Sequence, residues 1–450
     1  MRPKTIFAIF ATMAALVLAG ALVLTGQNAD IISTISGGER PAIAVIDFRG
    51  AGEAQQFMDT FNTTLWNELS GAGVIRMAAK SLYPLQIPQQ PSDFTPPTMF
   101  SAWSQAPVSA NYLAFGYTAV QNGQLVLRGF LFNVGQPDVA SAQVFGKLYL
   151  GTLDQLGAKK TARDFAADIL RQLGGMSLAD TKFYFVSDRT GNKEIWSMDY
   201  DGSNQRQFTN YKTITRDPAV SMDGRLVAFT TYAGGTPQVR IHSTVTGNRI
   251  TFVNPHSSMV LTPEFTPDGK QLLFATRLEE IDGFSQLYIA NADGGGLRRL
   301  SNVRAIEVSP RVNPKTGRDV LFIRANQLWH MNIDGGDMDR LTDGTGEVSN
   351  PAWSPDGHHL AFAWTRGYDP GNFNIFEMDI ADRKYVQLTH GTGNNENPWW
   401  APDGLHLAYS NARGTGKGKQ IFTMLVDGSN VQQLTTQGKN SQPIWAKGIN

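Results

Sequence analysis

The side chains best suited to chemistry in this chain are seven histidines, while cysteine is absent. Histidines that converge on one point can bind a metal ion or serve a lyase site. His359 and His406 follow the glycine of a repeated turn by two residues, whereas His242 and His330 fall on another strand of the repeat. Neither position lies on the strand that would face the centre of a ring built from such repeats. We therefore expect the histidines to stay apart and the protein to use no metal or other cofactor.

Repeated Asp-Gly pairs, such as Asp268-Gly269, Asp356-Gly357 and Asp403-Gly404, have two possible roles. Acidic loops can hold calcium. Glycine also supplies the positive φ of a tight turn, while aspartate hydrogen-bonds its local backbone, and the regular recurrence favours such turns. The chain lacks Gly-x-Ser-x-Gly, His-Glu-x-x-His and Walker-type motifs. We therefore predict a protein that is not an enzyme.

The elements that position these residues form a repeat marked by proline. The repeated prolines are Pro218, Pro263, Pro310, Pro351, Pro398 and Pro443. Two positions after each stands a large or branched apolar residue: Val220, Phe265, Val312, Trp353, Trp400 and Trp445. A turn and three further strands follow. Four strands in about 45 residues indicate a β-propeller blade, and the tryptophans are then expected to pack between blades.

The two ends of the repeat region are complementary. It opens at Phe183-Tyr184-Phe185, which matches a second strand, and finishes at Gln442-Pro443-Ile444-Trp445, which matches a first strand. We therefore predict that one blade is built from both ends and that six four-stranded antiparallel blades close into a ring. Such a ring has no open sheet edge.

One set of polar residues is expected to be functional. The first strand of each blade lines the central channel of a propeller, so residues just before the repeated proline should crowd one mouth of that channel. These candidates are Arg216, Asp217, Glu307, Glu347, Asn350, Asn395, Glu396, Asn397, Asn440 and Gln442. They form a docking surface for a protein loop or a small polar ligand; alternatively, they cap strands and hold water.

The residues before the repeat region show a different sequence pattern. Strand and helix patterns alternate between residues 41 and 175, with a hairpin signal at Asn122-Gly123, and indicate an α/β domain with a mixed sheet. Arg2 and Lys4 precede an apolar run from Ile6 to Leu24, as in a secretory signal or a membrane anchor. The predicted organisation is a signal peptide or anchor at 1–29, an extended segment at 30–40, the α/β domain at 41–175, a linker at 176–180 and the propeller at 181–450.

The overall charge limits the partners. Lysine plus arginine number 39, as do aspartate plus glutamate, so the formal net charge is zero. The chain therefore has no excess positive charge that would attract nucleic acid or an anionic bilayer.

The segment from Pro351 to Gly357, followed by Leu360-Ala361-Phe362, resembles the blade motif of the TolB family. Propellers of prolyl-oligopeptidase-type peptidases share this motif, but the order of one α/β domain before six blades is similar to TolB over residues 30 to 450. The resemblance implies a monomeric periplasmic component of the Tol–Pal system, which supports outer-membrane integrity, cell division and protein import.

The resemblance also implies two partners. A Pal-like peptidoglycan-associated lipoprotein would bind the propeller, and a TolA-like inner-membrane protein would bind the extended segment through Asp30, Ile31, Ile32 and Ile35. The alternative is a propeller hydrolase or lyase acting on envelope peptides or sugars in the channel.

Overall fold

The computed structural model describes residues 40–94, 100–278, 283–391, 393–412 and 418–449. The predicted signal or anchor and the extended segment, with Asp30, Ile31, Ile32 and Ile35, lie outside these residues. Within the described part, no helix is long and apolar enough to cross a membrane.

The N-terminal domain is a five-stranded mixed sheet between helices, as the alternating pattern predicts. Its strands are β1 (Ala42–Val45), β2 (Arg76–Met77), β3 (Tyr112–Gln121), β4 (Gln124–Asn133) and β5 (Gln143–Thr152), in the order β2-β1-β3-β4-β5. Its helices are α1 (Met58–Gly71), α2 (Ser101–Ser104), α3 (Val139–Ala142) and α4 (Gln155–Gln172), with 3₁₀ turns at Gly52–Phe57, Lys80–Leu82 and Pro91–Asp93. Strand β1 runs parallel to β2 and β3, whereas β3, β4 and β5 pair antiparallel.

Helices α1 and α4 cover one face of this sheet because their apolar residues recur at helical spacing. Phe61 and Leu65 of α1 and Phe165 of α4 are fully buried there. Gly129 of β4 allows the close approach, since a Cβ at this position would lie 2.7 Å from the Phe165 ring. The opposite face packs against the segment that contains Trp103.

The start of β5 differs from the sequence prediction. The alternating pattern from Val139 predicts a strand, but residues Val139–Ala142 form the helical turn α3. Asp138 causes this change, because its carboxylate accepts hydrogen bonds from the backbone N–H groups of Ala140 and Ser141. The capped turn delays the strand until Gln143.

The described residues after this domain form six four-stranded antiparallel sheets, each with one strand next to the axis and three further out. Blades 1 to 3 are β9–β12 (Thr215–Val220, Leu226–Thr231, Gln238–Ser243, Arg249–Ile250), β13–β16 (Val260–Phe265, Gln271–Thr276, Gln286–Asn291, Arg298–Arg299) and β17–β20 (Glu307–Val312, Asp319–Arg324, Gln327–Asn332, Asp339–Arg340). Blades 4 and 5 are β21–β24 (Val348–Trp353, His359–Trp364, Asn374–Asp379, Tyr385–Gln387) and β25–β28 (Asn395–Trp400, His406–Asn411, Gln420–Leu425, Gln432–Gln433). Blade 6 combines β29 (Asn440–Lys447) with β6 (Thr181–Ser187), β7 (Glu194–Asp199) and β8 (Arg206–Gln207).

Blade 6 confirms the predicted closure of the ring. Strand β29 pairs antiparallel with β6 from Asn440 opposite Ser187 to Lys447 opposite Thr181. The Trp445 ring lies 4.4 Å from that of Phe183, and its indole Nε1 donates a 2.7 Å hydrogen bond to the Thr181 hydroxyl. Backbone pairing and aromatic packing therefore hold the two ends of the array together.

The Asp-Gly pairs lie in tight turns, which confirms the preferred interpretation. In blade 2, Gly269 has a φ of +69°, and the Asp268 carboxylate accepts hydrogen bonds from the Lys270 N–H and the Thr266 hydroxyl. Trp353 is also placed as predicted, because it packs between blades 3 and 4 against Leu321 and Leu328.

Residues 41–450 form one compact unit. The N-terminal domain contacts the side of the propeller that carries the turns between the inner and second strands, and these contacts are polar. Glu68 of α1 pairs with Arg163 of α4 at 3.3 Å and hydrogen-bonds the Tyr200 hydroxyl of blade 6. In blade 5, the imidazole Nε2 of His406 lies 2.8 Å from the carbonyl oxygen of Gly71. These contacts link the two helices to blades 5 and 6.

Candidate partner-binding site in the propeller channel

Six inner strands surround the central channel: β9, β13, β17, β21, β25 and β29. Each contacts the next around the ring, and β29 returns to contact β9. Every inner strand carries a register shift next to its repeated proline. Such bulges redirect a side chain out of the normal alternation of a strand.

The bulge places one residue of each blade in the left-handed region of backbone conformation. We call these six residues, each immediately before the repeated proline, the polar ring: Asp217, Thr262, Ser309, Asn350, Asn397 and Gln442. Their φ values lie between 49° and 56°, and all six line a narrow cavity of about 30 Å³ in the channel. Left-handed non-glycine residues are uncommon, and for β-branched Thr262 the conformation is a clear outlier.

Hydrogen bonds link members of the polar ring from blade to blade. The side-chain carbonyl of Gln442 accepts from the backbone N–H of Asp217 at 2.9 Å, and its amide donates to the Asp217 carboxylate at 2.7 Å. The Thr262 hydroxyl accepts from the N–H of Ser309 at 3.1 Å, and the Asn397 carbonyl accepts from the N–H of Gln442 at 3.4 Å. The polar ring thus presents to the channel polar groups whose positions are fixed by hydrogen bonds between blades.

Four predicted site residues, Asp217, Asn350, Asn397 and Gln442, belong to the polar ring. Three others lie close to it in sequence: Arg216, whose Nε is 3.0 Å from the Asp217 carboxylate, Glu396 and Glu347. Glu396 pairs with Lys419 of the same blade, and its side chain is 17% exposed. Glu347 is half-buried just before β21.

The remaining three predicted site residues, Glu307, Asn395 and Asn440, do not face the mouth. They stand three positions before the proline and are 0–2% exposed. Glu307 forms an ion pair with Arg324 at 2.6 Å, the Asn395 amide donates to the Asn374 side chain at 3.0 Å, and the Asn440 amide donates to Gln420 at 2.8 Å. Strict alternation would put this position on the same face as the polar ring, but the bulge next to the proline shifts the alternation, so these side chains point into the blade. This placement corrects the expectation that all ten residues crowd the opening.

Sequence reasoning missed Thr262 and Ser309, which complete the polar ring. Both stand directly before a repeated proline, so their place in the repeat identifies them. Their small hydroxyl side chains set them apart from the charged and amide residues at the other positions of the repeat.

Directly beyond the polar ring, a second layer crosses the channel. It comprises Glu264, Arg311, Trp399 and Ile444, each one position after a repeated proline, and we call it the ion-pair layer. Arg311 Nη1 lies 3.0 Å from the Glu264 carboxylate, and the guanidinium carbon lies 5.1 Å from the centre of the Trp399 ring. Burial raises the pKa of Glu264 to about 7, although Arg311 acts in the opposite direction.

His359 and His406 are held by separate partners in separate blades. His359 Nδ1 lies 2.6 Å from the Glu377 carboxylate, a hydrogen bond that raises the pKa of the histidine despite burial. Burial lowers the pKa of His406, but Asp403 and the Gly71 carbonyl outweigh this effect and raise it overall. Among the described residues, no group of three or more histidine or acidic side chains could hold a metal ion.

A sequence profile and two curated relatives that match this chain carry the same family name. The sequence profile of the TolB beta propeller domain matches residues 172–348 and 341–448. The Protein TolB homolog of Chlorobium chlorochromatii is 32% identical over 219 residues, which are 48% of this chain and 47% of that protein. The Tol-Pal system protein TolB of Desulfosudis oleivorans is 31% identical over 196 residues, or 43% and 42% of the two chains. The chain thus spans about half the length of the curated relatives it matches.

The fold extends over more of the chain than the sequence matches do. The crystal structure of TolB from Acinetobacter baumannii superposes with a TM-score of 0.72 and covers 91% of this chain and 97% of its own. Sequence identity is 18%. The match shows a shared fold that includes the N-terminal domain.

Proposed function

Since the chain belongs to the TolB family, we propose that it is a non-catalytic protein-binding scaffold of the Tol–Pal envelope system. A relative that carries the name Tol-Pal system protein TolB supports this assignment. In this role the protein supports outer-membrane integrity, cell division and protein import.

The polar ring is the observation that carries the proposal for the propeller. It offers hydroxyl, amide and carboxylate groups from all six blades at one end of the channel. A loop of a Pal-like lipoprotein that enters there can hydrogen-bond to several blades at once. A few contacts that become fully desolvated on binding commonly dominate the affinity of an interface. Glu396 and Arg216 extend this surface around the ring.

Calorimetry of the purified chain against its own lipoprotein tests this site. Glu396→Ala combined with Asn397→Ala is expected to weaken binding by about tenfold or more, because a decade corresponds to only about 1.4 kcal/mol. Asn397→Gly serves as a second variant, since glycine keeps the left-handed backbone while removing the side chain. It should weaken binding without loss of the fold.

The matched control is Asn430→Gly, which makes the same exchange at another left-handed residue, with a φ of +53°, on an outer hairpin of blade 5. It should bind the lipoprotein as the unchanged chain does. Unchanged affinity in the ring variants together with a lower melting temperature would make the polar ring a set of structural caps and refute the proposal.

We place the protein in the periplasm, with residues 1–29 as signal or anchor and residues 30–40 as the contact for a TolA-like inner-membrane protein. Arg2 and Lys4 before the run Ile6–Leu24 support export. Cell fractionation should find the protein outside the cytoplasm. Crosslinking groups at Ile31 and Ile35 should capture the inner-membrane partner, whereas a group at Arg249 on blade 1 should not. A soluble cytosolic protein would contradict export, and capture only from Arg249 would contradict the role of the segment.

A further inference from the structure

The mouth of the channel next to the polar ring is surrounded by the residues that stand directly before the six inner strands. We call these residues the rim: Ile214, Met259, Ile306, Glu347, Asn394 and Lys439. The rim is divided into two halves, because its members in blades 1 to 3 are apolar and its members in blades 4 to 6 are polar or charged. The polar ring carries hydrogen-bonding side chains in all six blades, so the rim is where the two halves of the mouth differ.

The apolar half of the rim is exposed to solvent, and a phenylalanine of blade 2 adds to it. Ile306 is 57% exposed and Ile214 is 45% exposed. The backbone N–H of Glu307 donates to the Ser285 carbonyl at 3.0 Å, so Ile306 and Phe284 each stand one residue from the same backbone contact. Phe284 is 36% exposed. Exposed apolar side chains that are grouped beside polar residues mark protein-binding surfaces.

Two lysines of blade 6 stand at the same mouth. The carbonyl of Lys193, in the turn between β6 and β7, accepts from the N–H of Thr215 at the start of β9, at 2.8 Å. The carbonyl of Lys439 accepts from the N–H of Asp188 at 3.2 Å. Both lysine side chains are exposed, and within the described part of the chain neither ammonium group has an ion-pair partner.

The two lysines give blade 6 an excess of positive charge. The other charged residues in this part of the mouth lie beside residues of opposite sign: Arg216 beside Asp217, Lys419 beside Glu396, Arg189 beside Asp188 and Lys212 beside Glu194. Lys193 and Lys439 therefore remain unbalanced. Glu347 of the rim, whose carboxylate has no described partner, belongs to blade 4, and its strand β21 lies across the channel from β9.

We propose that the lipoprotein segment received by the polar ring is an amphipathic loop, with an apolar side chain at Ile306 and Phe284 and a carboxylate at Lys193 and Lys439. The inference rests on the proposed function, because it specifies the segment that enters the mouth. Charge complementarity selects an acidic residue at blade 6, since a basic one would be repelled there. An apolar side chain at blades 2 and 3 removes exposed apolar surface from water. The polar ring between these two contacts hydrogen-bonds the backbone of the loop.

Crosslinking with a water-soluble carbodiimide tests the charged contact, because this reagent joins a carboxylate directly to a nearby ammonium group. The purified chain is mixed with its own lipoprotein, and mass spectrometry identifies the joined residues. We expect Lys193 or Lys439 to be joined to an aspartate or glutamate of the lipoprotein. This product should be lost when Lys193→Gln is combined with Lys439→Gln. Crosslinks that form only at other lysines would overturn the carboxylate contact.

The association rate gives a second measure of the charged contact. The double lysine variant should associate with the lipoprotein more slowly at low salt, and its rate should depend less on ionic strength, because charges at the edge of an interface mainly steer the encounter. The matched control is Lys270→Gln combined with Lys315→Gln, which removes the same charge from turns between the inner and second strands, at the other end of the propeller. The control should associate as the unchanged chain does.

Calorimetry of Ile306→Ser tests the apolar contact. The variant should bind the lipoprotein about tenfold more weakly or worse, because the loop loses its apolar partner at the centre of the contact on blades 2 and 3. Its melting temperature should stay unchanged, since Ile306 is exposed in the free protein. The matched control is Ile250→Ser, which makes the same exchange at an isoleucine that is 39% exposed on the outer strand of blade 1. It should bind normally.

The outcomes separate this inference from the proposed function. If the lipoprotein does not bind the unchanged chain, or binds Asn397→Gly normally, the polar ring is not its site and both proposals fail. If Asn397→Gly weakens binding whereas either the Ile306 variant or the double lysine variant behaves as its control does, the site stands and the amphipathic loop is refuted. Weaker binding in all three, with normal binding in both controls, supports the loop.

Discussion

At the scale of single residues, the buried pair of Glu307 and Arg324 holds blade 3 together. Glu307 is fully buried, its carboxylate lies 2.6 Å from Arg324 Nη2, and it also accepts from the Ser301 hydroxyl. The Arg324 guanidinium stacks on Trp329 at 4.4 Å. Loss of one partner from such a pair leaves an uncompensated charge inside the protein.

We expect Glu307→Ala to lower the free energy of unfolding by about 3 kcal/mol or more, because Arg324 loses its counter-charge inside the blade. Urea unfolding measures this change. Glu347→Ala is the matched control, since Glu347 is half-buried before the next inner strand and its side chain has no described partner; it should change stability by less than about 0.5 kcal/mol. Equal effects of the two substitutions would contradict a structural role for Glu307.

Thr262 in the polar ring stores backbone strain. Its φ is +49°, which a β-branched residue rarely adopts. Asparagine tolerates this conformation, and Asn397 at the equivalent position already accepts a neighbouring N–H. Thr262→Asn should therefore stabilise the protein by about 1 kcal/mol. Thr262→Val keeps the branched shape but loses the acceptor for Ser309 N–H, so it should destabilise by about 1–2 kcal/mol. Thermal melting distinguishes these results; a lower melting temperature for the asparagine variant would contradict the strain.

At the scale of elements, the stability of the propeller depends on β29. This strand supplies the inner edge of blade 6 and contacts β9 of blade 1, so it completes both the sheet and the ring. Without it, β6 presents unpaired backbone groups and the apolar residues Phe183 and Phe185. Exposed apolar edges of this kind promote association between chains.

Deletion of residues 442–450 is therefore expected to give an aggregating or strongly destabilised protein. Light scattering and thermal melting measure the two outcomes. The control deletion removes only residues 449 and 450, which follow β29, and should behave as the unchanged chain does. A deletion of 442–450 that stays monomeric and melts at the original temperature would refute closure by β29.

The repeat made the inner strands predictable from sequence, because the proline marks the same place in every blade. The same repeat also predicted four of the six members of the polar ring. The bulge before the proline is not visible in the pattern, so the pattern wrongly places residues three positions before the proline, such as Asn395 and Asn440, at the mouth. The repeat position of the tryptophans predicted packing between blades. It did not predict the cavity of about 170 Å³ that Trp353, Trp400 and Trp445 line, because these residues come from three different blades. Contacts between Gly71 and His406 join positions too far apart in sequence for any local pattern to predict.

At the scale of the whole molecule, the N-terminal domain meets the propeller through a carboxyl that titrates near neutrality. Burial raises the pKa of Glu68 to about 7, even though Arg163 lowers it. The ordinary value of 4.5 applies in the unfolded chain. Between these values the folded protein holds a proton that the unfolded chain releases. The contribution of Glu68 to stability is thus fully present below pH 4.5 and is lost as the pH rises through 7.

Glu68→Gln removes this titration and should flatten the loss of stability of α1 and α4 between about pH 5 and about pH 8. Hydrogen exchange of these helices at several pH values is the measurement. Glu264→Gln is the control, because its carboxyl has a similar pKa but lies in the channel; it should leave the pH dependence of exchange in α1 unchanged. Identical pH profiles for the Glu68 variant and the unchanged chain would contradict the assignment.

The pairing of β29 with β6 also sets an order in time. Trp445 and its partner Thr181 are separated by 264 residues. At synthesis rates of about 5–20 residues per second, β6 waits about ten to fifty seconds for the strand that completes its blade. Until β29 pairs with it, blade 6 lacks its inner strand and β6 keeps an unpaired edge. Ribosome-associated or envelope chaperones that shield β6 over this period would thus determine how much of the newly made chain reaches the closed ring.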